Sequence, residues 1–201
     1  AMSYLLKDLN PMELALGRFL LPSILGLLYL FKTKLNISIR DYLRFFFAGF
    51  FGIFLYNFFL NTGQTSVSAG ASSFIVNCNP LFAFLIGFYV LKQKIKAYYW
   101  VGIIICIVGV FIISLERQLD TILNEGAFLI FFAAFLTASY FHIVKPLIDK
   151  YGVAISLSLT LVFGTIPMLF WFNSTLKSVS VLDEKSMFVL VWLIFFPTLL
   201  G

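Results

Sequence analysis

Between Phe45 and Leu91 the chain carries no Lys, Arg, Asp or Glu, yet it holds the neutral amides Asn57, Asn61, Gln64, Asn77 and Asn79. Uncharged hydrogen-bonding groups inside a long apolar run point to transport of a polar solute. At 100° per residue, Asn57, Asn61 and Gln64 fall within about 60° on one helical face, as do Ser66, Gly70, Ser73 and Asn77 on the next helix. The two stripes converge. One explanation is a water-filled cavity, because amides facing lipid are costly. The alternative is hydrogen bonding between helices that locks a non-transporting scaffold together.

Three further residues carry polar chemistry into apolar stretches. Arg18 stands about 10 Å below one end of its helix, where a central Arg costs about 3 kcal/mol. Glu13 is about 140° away and makes a poor local partner. Arg18 therefore either bonds oxygens of another helix or contacts an anionic substrate group. His142, the single histidine, shares a face with Lys145 and Asp149. It reads either as a proton relay or as an interfacial side chain. Tyr140 occupies another face, from which it can reach a cavity. Pro80 removes a backbone donor and frees the carbonyl of Val76, which predicts a kink; Asn79 suits the backbone freed there. No catalytic set, metal-ligand cluster, paired intramembrane carboxylates or phosphate loop is legible. The chain reads as a non-enzyme without metal or cofactor.

The elements that position these groups follow from composition. The chain has 201 residues, of which 61% are hydrophobic and 11% charged, with a mean hydropathy of +1.01. That is the balance of a polytopic helical membrane protein, all-α, with the lipid bilayer as its solvent. The net charge of +5 sits in loops, so it does not indicate nucleic acid. Cys78 and Cys106 fall inside apolar runs and read as small buried hydrophobes. Charge-free runs and their breakers predict spans near 12–31, 42–62, 66–91, 97–115, 126–146 and 153–173, with a seventh beginning near 186. The stretch from Phe45 to Leu91 is too long for one crossing, so a hairpin is expected to turn at Asn61 to Thr65. Alternating sides then collect Lys32, Lys34, Arg40, Arg44, Lys92, Lys94, Lys96, Lys145 and Lys150 together, and the positive-inside rule makes that side cytoplasmic. Ala48, Gly49 and Gly52 mark a face for close helix contact.

Three segments carry a family resemblance: Pro11 and Arg18 in "NPMELALGRF", the run "SAGASSFIVNCNPLFAFLIGFYVLKQK" around Pro80, and Gly102 with Gly109 in "YWVGIIICIVGVFII". In this order and spacing the chain resembles the EamA family of the drug/metabolite transporter superfamily. Gln93 stands where that family's repeat usually has a Glu. The resemblance implies ten helices built as two inverted five-helix repeats. Residues 1–115 would be a first repeat lacking most of helix 1, 116–125 an outer loop, and 126–201 the start of a second repeat cut within helix 8. It further implies a permease in a membrane, bacterial inner (plasma) membrane by expectation, moving a small-molecule metabolite by alternating access. Asn57, Asn61, Ser73, Asn77 and Tyr140 are the expected path, with the coupling ion open.

Overall fold

A computed structural model describes residues 2–33, 35–90, 92, 100–102, 104–105 and 125–196, and among them every regular element is helical. A short turn of helix, α1 (Met2–Leu5), precedes α2 (Pro11–Lys32). Four further rods follow: α3 (Ile39–Gly63), α4 (Ala69–Phe88), α5 (Glu125–Tyr151) and α6 (Val153–Ser180). The last described element is α7 (Glu184–Ile194). The five helices α2 to α6 are each long and apolar enough to cross a membrane.

Local chemistry explains where these helices begin and stop. Pro11 opens α2, where a missing amide hydrogen is harmless, and Glu13 accepts the Asn10 amide at 3.1 Å. Ser38, Ser68 and Asp183 cap α3, α4 and α7 by accepting the amides of Asp41, Ala71 and Ser186. Between α5 and α6, Gly152 takes φ +83°, a conformation costly for any residue with a Cβ. The expected spans 12–31, 42–62, 66–91, 126–146 and 153–173 correspond to α2 to α6; α2, α3, α5 and α6 run longer than expected, and α4 is shorter, starting at Ala69 after the Ser68 cap. The expected span at 97–115 and Cys106 lie outside the described residues, apart from a few positions near its start.

Two local differences have clear causes. The hairpin turns at residues 64–67, later than Asn61, because the Gln64 amide still reaches the Leu60 carbonyl at 2.9 Å and closes another helical turn. The Pro80 irregularity is a break rather than a bend: α4 is interrupted by a turn at Asn77 and Cys78, and Pro80 sits at the start of the resumed helix. A proline is tolerated best in that first turn.

α3 runs antiparallel to α2 and to α5, with Asn61 at Pro11 and Asp41 at Lys150, whereas α4 and α5 run parallel, and the rods pack through small residues. A Cβ on Gly49 of α3 would stand 2.6 Å from backbone atoms of Thr160 and Gly164 on α6, so only hydrogen permits this approach. Leu60, Val67, Ala71, Ala127 and Ile130 join α3, α4 and α5 near one end. Leu30, Phe45, Leu147 and Leu159 join α2, α3, α5 and α6 near the other. Large apolar side chains including Leu28, Phe31, Phe47, Phe128 and Phe170 remain exposed, as helices solvated by lipid allow.

Candidate functional site

Between these two packed ends, α2, α3, α5 and α6 line a half-open cavity of about 260 Å3. From α2 come Arg18 and Phe19, from α3 Gly52, Ile53, Tyr56 and Asn57. Tyr140 enters from α5, and Leu157, Thr160 and Leu161 from α6. A larger groove of about 640 Å3 lies at the rim, lined by Tyr4, Asp8, Lys177 and Asp183. It is a surface feature between helix ends, whereas the smaller cavity is set among the long helices.

The α3 wall owes its shape to an irregular winding. Residues Phe50–Leu55 form a π-helical stretch, a geometry that appears often at functional sites. Gly52 within it admits the Tyr140 ring; a Cβ there would lie 2.4 Å from the ring carbons. Just beyond, the Asn57 Nδ2 donates to the Ile53 carbonyl at 2.7 Å. A carbonyl can only accept, so this contact fixes which way the amide points. The Asn57 Oδ1 is left buried, with no hydrogen-bond donor among the described residues. An unmet buried acceptor costs about 1–3 kcal/mol.

Arg18 is 6% exposed, with its Nη1 donating to the Met2 sulfur at 3.5 Å and its guanidinium carbon 5.2 Å from the Phe19 ring centre. Pro22, four residues on, lacks the amide hydrogen that would reach the Arg18 carbonyl, which loosens α2 at this level. Pro146 stands in the same relation to His142 on α5. This four-residue spacing is visible in the sequence and marks both positions, although periodicity of polar residues does not reveal it.

The other sequence candidates are distributed differently. Asn61 is fully buried, and its Nδ2 donates to the Pro11 carbonyl at 3.0 Å, joining α3 to the start of α2. Ser73 and Asn77 are exposed on α4 and stand outside the cavity wall. The His142 Nε2 lies 2.9 Å from the Ala83 carbonyl and must donate, tying α5 to α4. Asn79 has a buried Oδ1 without a partner among the described residues. The structure thus gathers Arg18, Asn57 and Tyr140 and separates them from Asn61, Ser73, Asn77 and His142.

Sequence reasoning missed the clusters that close the two ends of the cavity. At the end bearing Arg40, Arg44, Lys145 and Lys150, here the basic end, Asp41 of α3 is buried. Its Oδ2 accepts from Lys150 at 2.6 Å and Tyr151 at 2.7 Å, both at the end of α5, while its Oδ1 meets Arg44 at 3.2 Å. At the opposite, acidic end, buried Glu13 of α2 accepts from Asn10 and from Ser174 of α6. Asp8 accepts from Ser186 of α7 at 3.0 Å. Asp183, outside the long helices, is held below its ordinary carboxylate value by hydrogen bonds from Ser186. The sequence signal was faint: Asp41 is the one acid in a basic loop region, four residues ahead of the uncharged run.

Long apolar rods, buried polar groups between them and lipid-compatible outer faces define a polytopic helical membrane protein. Residues 1–115, more than half of the chain, match the model of the EamA-like transporter family, and the chain belongs to that family, within the drug/metabolite transporter superfamily. It is 33% identical over 165 residues to the uncharacterized transporter YdfC of Bacillus subtilis (strain 168), an overlap covering 82% of this chain and 54% of the relative. An uncharacterized transporter of Archaeoglobus fulgidus is 29% identical over 178 residues, covering 89% of this chain and 63% of the relative. The chain therefore spans less than two thirds of the length of these curated relatives. No solved structure matches it.

Proposed function

We propose that this chain forms part of a secondary transporter that moves a small polar or amphipathic metabolite by alternating access, and that it is not an enzyme. The observation that carries the reading is the cavity shared by α2, α3, α5 and α6, with Asn57 and Tyr140 on its wall. In the proposed division, residues 1–115 form one repeat and 126–201 the start of a second, so α2 and α3 meet α5 and α6 across a repeat boundary. Rocking of one repeat against the other would open the cavity first to one side and then to the other. The contacts that must part are Asp41 with Lys150 and Tyr151 at the basic end, and Glu13 with Ser174 at the acidic end. By the positive-inside rule the basic end faces the cytoplasm.

Within this reading Asn61 acts as a bond between helices through its Nδ2 on the Pro11 carbonyl, while its Oδ1, like that of Asn57, is buried without a partner among the described residues. His142 holds α4 against α5. Ser73 and Asn77 supply polar surface on α4 beside the main cavity. The test is solute flux by the full-length protein in sealed vesicles. Asn57→Leu with Tyr140→Ala should abolish most flux while membrane insertion and folded yield stay normal. Undiminished flux through the double variant would remove the cavity from the path and leave a purely structural part for these residues.

A further inference from the structure

The winding of α3 fixes the orientation of a hydrogen-bond acceptor on the cavity wall. Beyond the π-helical stretch Phe50–Leu55 the backbone does not pair simply with the fourth carbonyl back: the Tyr56 amide reaches the carbonyls of Ile53 and Phe51, three and five residues behind it. The Ile53 carbonyl also takes the Asn57 Nδ2 at 2.7 Å. With the nitrogen held there the Oδ1 points elsewhere, and a flipped amide would set two acceptors against each other. Asn57 is 1% exposed, and its Oδ1 has no donor among the described residues. A buried acceptor left in this state is costly, and only an N–H or O–H relieves it. Phe19, Ile53, Leu157 and Leu161 line the same cavity as Asn57, so a donor arriving from the cavity comes attached to a body that suits apolar walls.

Resting on the transport reading above, we propose that Asn57 sets the specificity of this cavity: its Oδ1 accepts an O–H or N–H of the transported solute, whose apolar part lies against Phe19, Ile53 and Leu161. Contact is gained as the helices around the cavity part and is held when they close. A solute with a methyl group in the place of that donor leaves the oxygen unmet in the closed state, so it is rejected although it suits the rest of the wall. The requirement concerns the donor and applies to neutral, anionic and cationic solutes alike. Size sets a further limit. A cavity of about 150 Å3 holds benzene, so about 260 Å3 accommodates on the order of ten non-hydrogen atoms.

The experiment uses purified full-length protein for binding and sealed vesicles for flux. The probes are pairs in which a methyl group replaces a hydroxyl: benzyl alcohol with ethylbenzene, para-hydroxybenzoate with para-methylbenzoate, and hydroxyethyltrimethylammonium with propyltrimethylammonium. Where the flux screen finds another solute, that solute and its analogue with methyl in place of the donor form the pair. In at least one pair the donor-bearing member should bind about tenfold tighter or more. Asn57→Leu, which keeps the bulk and removes the oxygen, should abolish that preference while the methyl member binds as well as before. Asn57→Thr should keep part of it, because a threonine hydroxyl can donate to the carbonyl four residues back, as Thr137 and Thr160 do, and still offer its oxygen as an acceptor. Asn61→Leu should leave the preference in place, because Asn61 is absent from the described lining of the cavity. If Asn57→Leu fails to fold, Asn57→Ala takes its place in the same comparison. Equal weakening of both members by the Asn57 change assigns Asn57 a structural part and refutes the proposal. Binding or flux that ignores the exchange of donor for methyl overturns it as well and leaves transport standing. Absence of flux for every solute, in a screen of neutral, anionic and cationic metabolites, overturns the transport reading itself.

Discussion

The two ends of the helix bundle are closed by different chemistry. At the basic end a buried carboxylate, Asp41, meets a lysine ammonium and a tyrosine hydroxyl on α5, with Arg44 on its other oxygen. At the acidic end the carboxylates of Glu13 and Asp8 meet serine hydroxyls of α6 and α7. Parting the first contact leaves a carboxylate and an ammonium to be solvated separately. Parting the second exchanges neutral donors for water, which resembles them closely. Lys150 is largely exposed, which tempers the strength of its pair, and the order to be tested is that the charged end parts less readily. Within the proposed transport reading, closure at the two faces of one cavity need not be symmetric.

The comparison can be tested by reading access to the cavity from each side. In a background with Cys78→Ser and Cys106→Ser, Tyr140→Cys serves as a reporter for a membrane-impermeant thiol reagent. Asp41→Ala should give the largest change, raising labelling from the basic end by roughly fivefold or more, within the usual range of coupling between linked sites. Unchanged labelling would reduce the Asp41 cluster to a surface ornament. Next, Gly152→Ala should destabilise the turn after Tyr151 by about 1–3 kcal/mol, because φ +83° is foreign to alanine. A fall in melting temperature together with basic-end labelling below that of Asp41→Ala would locate the effect in the placement of Lys150 and Tyr151. Smallest should be Glu13→Gln, which keeps one acceptor oxygen for Asn10 or Ser174 and turns the other into an amide donor, at a cost of about 1 kcal/mol. It should raise labelling from the acidic end by less than the Asp41 change does at the basic end. The reverse order would invert the comparison.

Much of this arrangement was legible along the chain. Pro11 marked the start of α2, Gly49 and Gly52 marked close helix contact, and the described part of the uncharged stretch, residues 45–90, folds into the hairpin of α3 and α4. The polar stripes were read less well. Asn57 and Asn61 share a face, yet one borders the cavity and the other is tied to Pro11, because the neighbouring helix differs at the two levels. Ser73 and Asn77 share a face on α4 that stands away from the cavity. A helical wheel orders residues around an axis and is silent about what lies opposite.

Hydropathy, capping and the side assignment of charge are local properties that sum along the chain, so the sequence by itself determined the helical class, most of the crossings and their directions. Which polar groups meet was decided by the tertiary structure alone. Asp41 and Lys150 are 109 residues apart, and Ser174 reaches Glu13 across 161. Such contacts depend on the few ångströms by which helices approach, and here glycines such as Gly49 and Gly52 set that spacing. A charge-free run can announce that polar amides lie in a membrane. Only packing decides whether each faces a solute, a backbone carbonyl or the surface.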